Sequence, residues 1–195
     1  VTARVMGRDY KDKTMNYELM AGHSRSDVLL SRLIVSLLHS AVGCILCLFL
    51  PMVFFTVING WGNSTDFGNV ILLYVVSFLP LFRIWGECVL LTMLLKHDYM
   101  AMIIGTVLFY GSMLIVLLTK IFVDFEFILQ FSCSNLNKLL SIDNGRMHYV
   151  NGEDVWVYES AAGPELMIGT IVVSLIAGVV CLLLGYLYFK KSDMN

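Results

Sequence analysis

The sequence predicts an all-α integral membrane bundle of four transmembrane helices, and three observations predict it. Hydrophobic residues make up 58% of the 195 positions and charged residues only 14%, where soluble domains carry about a quarter. Mean hydropathy is +0.78. The remaining charges are gathered between long apolar runs at 29–57, 70–95, 100–123 and 166–189. Each run exceeds the ~20 helical residues that cross ~30 Å of hydrocarbon.

Taken in order, residues 1–28 form a polar segment with no apolar stretch of signal-peptide length. The chain begins at Val1 rather than Met, so further residues upstream are expected. Within this segment Thr14 is read as the N-cap of a short amphipathic helix running to Met20, and Gly22 as its C-cap. Ser24-Arg25-Ser26-Asp27 has the pattern of a capping box and opens the helix that becomes the first span. Met15, Leu19 and Met20 give the short helix a small apolar face, ringed by Arg8, Lys11, Lys13 and Arg25. That face suits either the lipid surface or an adaptable contact with a cytoplasmic partner.

Pro51 and Pro80 fall inside the first two spans, as tolerable kinks in a bundle. A stripe of Ser36, Ser40, Gly43, Cys44 and Cys47 on the first span, with His39 beside it, predicts a close helix–helix seam; Ser174, Gly178 and Gly185 predict another on the last. Arg83 and Glu87 lie four residues apart inside the second span, which places them on one helix face where they can pair. Their pairing is read either as architecture or as the polar lining of a translocation route.

After the third span comes the single sizeable polar insert, 124–165. Phe122, Phe125, Phe127, Ile128, Leu129 and Phe131 predict a short interfacial helix at its start. The stretch 148–158 predicts two short strands turning at Asn151-Gly152. Lys and Arg set the orientation. Arg4, Arg8, Lys11, Lys13 and Arg25 in the N-terminal segment, Lys96 in the link between spans two and three, and Lys190 and Lys191 in the tail all fall on one side. This predicts a cytoplasmic N-terminal segment (1–28), a transmembrane domain (29–195) and both ends of the chain on the cytoplasmic side of a cell membrane.

Enzyme motifs are missing. There is no G-x-x-x-x-G-K-[ST], no H-E-x-x-H and no G-x-S-x-G. His23, His39, His97 and His148 are dispersed along the chain. Cys44 and Cys47 form a C-x-x-C buried in apolar neighbours without a second ligand pair, so no metal site is expected. No basic stripe with interleaved aromatics marks a nucleic-acid partner, and Asn63-Ser64-Thr65 is a formal glycosylation sequon on the first outer loop.

Asp9-Tyr10, Lys13-Thr14, Gly22-x-Ser24-Arg25 and Leu30-Ser31-Arg32-Leu33-Ile34 follow one another in an order and spacing that resemble the segment before the third transmembrane helix of ABC-2-type permeases. These are membrane subunits of bacterial ATP-binding-cassette exporters. The tail, Phe189-Lys190-Lys191-Ser192-Asp193, is similar to the family's common ending. Family members usually have six spans, two of them before this segment, and four are present in these 195 residues. The resemblance implies a permease that exports a peptide, antibiotic or lipid-like substrate. It implies two partners beside membrane lipid: a second permease half, identical or not, and a separate ATPase subunit that carries the ATP and Mg. It assigns coupling to that ATPase to Tyr10, Thr14, Tyr17, Glu18, Gly22, Ser24 and Arg25. The alternative is a small tetraspan protein with a structural or assembly role and no transport.

Overall fold

A computed structural model describes residues 2–60, 67–119, 131, 139, 146–150, 153–157 and 163–191. Six helices and one strand pair are found among them: α1 (Thr2–Lys11), α2 (Thr14–Met20), α3 (Arg25–Asn59), α4 (Phe67–Leu95), α5 (Asp98–Thr119), β1 (Arg146–Val150), β2 (Glu153–Val157) and α6 (Pro164–Lys191). Helices α3 to α6 are long and apolar enough to cross a membrane, which makes the chain a multi-pass membrane protein. Both prolines are absorbed without ending their helices. The strands pair antiparallel, with Met147 opposite Trp156 and Val150 opposite Glu153. The expected interfacial helix, apart from Phe131, the sequon, the turn at Asn151-Gly152, and Ser192-Asp193 lie outside the described residues.

Helices α4 and α6 form the most extensive pairing. The small residues of α6 make it possible, since Thr170, Ser174, Gly178 and Gly185 are all buried. A Cβ on Gly86 of α4 would stand 3.0 Å from the carbonyl oxygen of Gly178, so the two backbones touch. The predicted small face of α6 is therefore filled by this chain's own α4, and those residues do not await a second subunit. The stripe on α3 is divided. Ser36 is fully buried and accepts a hydrogen bond from Trp85 Nε1 at 3.2 Å. Ser40 shares one with Thr2 at 3.1 Å. Gly43 has nothing near its Cβ position and Cys47 is exposed, so the predicted seam stops halfway along the helix.

The largest departure from the sequence reading is α1. Residues 2–11 were read only as part of a polar segment and assigned no element, yet they form a helix that packs on α3, α4 and α5. Its buried face is Thr2, Ala3, Met6 and Gly7. These residues are small or flexible rather than strongly apolar, which is why hydropathy passes over them. Gly7 lies so close to α5 that a Cβ there would fall 2.6 Å from the Asp98 Cα. One core cluster then joins five helices: Met6 from α1, Met15 from α2, Val28 and Leu29 from α3, Trp85, Val89 and Met93 from α4, and Phe189 from α6. A second cluster toward the other end holds Val76, Val116, Leu139 and Leu166.

Candidate functional site

The N-terminal helices, the link at Lys96-His97 and the end of α6 converge on one end of the bundle. Local chemistry shapes the chain there. Lys13 adopts the left-handed conformation (φ 54°) and turns α1 into α2. Lys13 is thus the residue that precedes α2, and the expected capping role of Thr14 is not what the structure has. Thr14 instead donates back to Asp9, to Oδ1 at 3.0 Å and to the carbonyl at 3.3 Å. The other end of α2 follows the expectation. Gly22 sits at φ 95°, its N–H bonds to the Leu19 carbonyl, and the His23 N–H reaches the Glu18 carbonyl, the paired bonds of a Schellman motif. Ser24 then caps α3, accepting from the Asp27 N–H at 3.1 Å and donating to Asp27 Oδ2 at 2.6 Å.

Arg32 ties these pieces together. Its guanidinium is ion-paired with Asp9 of α1 and with Glu18 of α2. One cation from α3 thereby holds both N-terminal helices, and Thr14 adds a second tie between them. The fork of the guanidinium suits this double role in a way that a lysine ammonium does not. Arg25 donates to the Lys190 carbonyl at 3.3 Å, Ser26 and Tyr186 share a hydrogen bond at 3.1 Å, and Tyr10 meets Phe189 edge-on at 6.4 Å. Burial, with Tyr188 nearby, pushes the Tyr10 phenol above its usual value, so the ring stays neutral against its aromatic partner.

The residues that the resemblance assigns to coupling are therefore brought to one end of the bundle but are used unequally. Tyr10, Thr14, Glu18 and Arg25 contact other parts of this chain. Tyr17 is 68% exposed, and Gly22 and Ser24 are at the surface. The expected apolar docking face also divides: Met15 is buried (1% exposed), Leu19 packs against the same cluster, and Met20 alone projects, 83% exposed. Met15 and Leu19 anchor α2 from below, so the outward face is Tyr17, Met20 and the Gly22-His23 turn. Asp9 and Arg32 complete the cluster; both lie in the segment that carries the resemblance, but neither is among the coupling residues it assigns. Their separation of 23 positions along the chain hides the pairing.

Replacing Arg32 by Leu leaves Asp9 and Glu18 facing each other without their cation, which repels the two helices. Faster amide hydrogen exchange is expected in 14–20, with α4 and α6 unchanged. Glu18→Gln, which keeps the Asp9 pair, should have a smaller effect. Equal protection of α2 in the Arg32→Leu variant and the parent would show that Met15 alone holds the helix.

Away from this end, Arg83 Nε donates to Glu87 Oε1 at 2.8 Å and Nη2 donates to the Phe131 carbonyl at 3.0 Å. The sequence-predicted pair is formed. Glu87 and Cys88 also border a small cavity of about 150 Å³ between α4 and α5. Among the described residues, no group of three His, Cys, Asp or Glu side chains is placed to hold a metal ion. No family model, no curated protein and no solved structure matches the chain.

Proposed function

We propose that the chain is the permease subunit of an ABC-2-type ATP-binding-cassette exporter. In this reading it moves a peptide, antibiotic or lipid-like substrate across the cytoplasmic membrane, using ATP hydrolysed by a separate ATPase subunit. The end that holds α1, α2 and the last turn of α6 faces the cytoplasm, in keeping with its Lys and Arg content. The observation that carries the proposal is the way α2 is mounted. It is a short helix that is locked to the bundle by Arg32 and Met15 and keeps Tyr17 and Met20 outward. A push on those two side chains by an ATPase would pass through Arg32 into α3 and through Asp9 into α1. The exposed Met20 offers an adaptable apolar contact for that partner.

The test is whether an ATP-binding-cassette ATPase co-purifies with the chain, followed by substrate export from cells that carry both. A valine at Gly22 must adopt a positive φ that costs a β-branched residue about 1–3 kcal/mol, and nothing near the Cβ position supplies a compensating contact. Gly22→Val is therefore expected to leave the bundle folded and ATP hydrolysis intact while export falls sharply. Normal export by this variant would remove α2 from the coupling route. Absence of any ATPase partner would favour the tetraspan structural reading.

A further inference from the structure

Between α3 and α4, level with the start of α1, the bundle contains a slot of about 320 Å³. Its lining includes Ser40, Ala41, Cys44, Phe78, Phe82 and Trp85. The polar atoms on its walls already have partners. The Trp85 indole N–H donates to Ser36, and the Ser40 hydroxyl is hydrogen-bonded to Thr2. Cys44 adds only a weakly polar thiol.

Three physical limits decide what can fill such a slot. Water needs about two to four polar partners, and the walls offer almost none. A void would leave the aromatic walls without dispersion contacts on one side. A transmembrane helix with its side chains is roughly 10–12 Å across, whereas the slot has room for about ten water-sized units of ~30 Å³ each. A hydrocarbon chain meets all three limits. The surroundings supply one, because Leu37 of α3 and Leu175 of α6, both in its lining, are themselves exposed, and Leu38 and Ile45 project outward from the same helix as Leu37. On a membrane-crossing helix such exposed side chains meet lipid.

We propose that this slot is an acyl-chain site that holds one tail of a phospholipid from the surrounding bilayer, entered sideways between α3 and α4. Trp85 then reports on its own occupant. Trp61→Phe and Trp156→Phe leave Trp85 as the sole indole of the three in the chain. This protein is placed in nanodiscs of phosphatidylcholine in which a rising fraction of the lipid carries bromine at mid-chain. Trp85 emission should fall as the brominated fraction rises, and soluble acrylamide should leave it unchanged. Ala41→Phe fills the slot and should restore most of the emission. Cys44→Leu, a smaller intrusion from the same wall, provides the readout if Ala41→Phe does not fold. Quenching that persists in a folded, filled variant would mean that bulk lipid reaches the indole by another route, and overturns the site. Quenching by acrylamide would mean a wet slot. No bromine quenching in the parent would mean that the walls close or that protein covers them. Either of these also overturns it.

Discussion

Glu87→Leu is expected to lose most of the folded protein, and Glu87→Leu combined with Arg83→Leu to regain it. The two side chains are paired at 2.8 Å inside α4, 13 residues into the span at Arg83 when counted from its first residue, Val70. An unpaired guanidinium at the centre of a membrane-spanning helix costs roughly 2.5–3.5 kcal/mol on insertion scales, and it has no way to become neutral. The carbonyl of Phe131 satisfies one of its donors but carries no compensating charge. Arg83→Leu is the milder single change, because a stranded carboxylate can take up a proton. Folded yield by size-exclusion chromatography of detergent-solubilised protein measures all three variants. Export by a well-folded double variant would make the pair architectural. A folded double variant that no longer exports would place the pair on the substrate route, next to the cavity that Glu87 borders. Parent-like yield from both single changes would show that the two groups are solvated separately and that their pairing contributes nothing.

Gly86→Val should be strongly damaging at the α4–α6 seam. The new side chain would begin 3.0 Å from the Gly178 carbonyl oxygen and 3.3 Å from its Cα. Both obstacles are backbone, so neither can swing aside, and the helices must separate. Overpacking of this kind costs typically ~1–3 kcal/mol. Lipid tails are as apolar as the side chains, so packing itself is a main contributor to helix association in the bilayer, and its loss is not offset by a hydrophobic drive. Gly185→Ala is the control on the same seam. Its Cβ would meet the Met93 sulfur at 3.3 Å, and a flexible thioether can move. The SDS concentration at half-unfolding should therefore drop clearly for Gly86→Val and hardly for Gly185→Ala. Equal midpoints would mean that the seam is looser than its backbone contact implies.

Several features of the candidate site were legible in the chain because each depends on residues a few positions apart. The Ser24 cap needs only Asp27, the Gly22 turn needs only its own freedom at positive φ, and the Arg83–Glu87 pair needs one helical turn. The reading of Thr14 as a cap failed for the same kind of reason in reverse. A threonine before a helical run satisfies the local rule, but Asp9 competed for its hydroxyl once α1 folded back.

The sequence by itself determined that this is a membrane protein with four spans, because hydropathy adds up residue by residue and a helix that crosses the bilayer must satisfy its own backbone. It also determined which end of the bundle gathers the basic segments. Only the tertiary structure decided what those segments do. It made α1 a packed helix, since the decisive contact is a glycine against the backbone of Asp98 and not an apolar stripe. It drew Met15 and Leu19 inward and left Met20 outside, although all three look alike in a helical pattern. It joined Asp9, Glu18 and Arg32 into one clamp, and it gave the small face of α6 to α4. Each of these outcomes depends on which surfaces meet across long stretches of chain, and that is set by shape and close approach, which composition and local spacing do not encode.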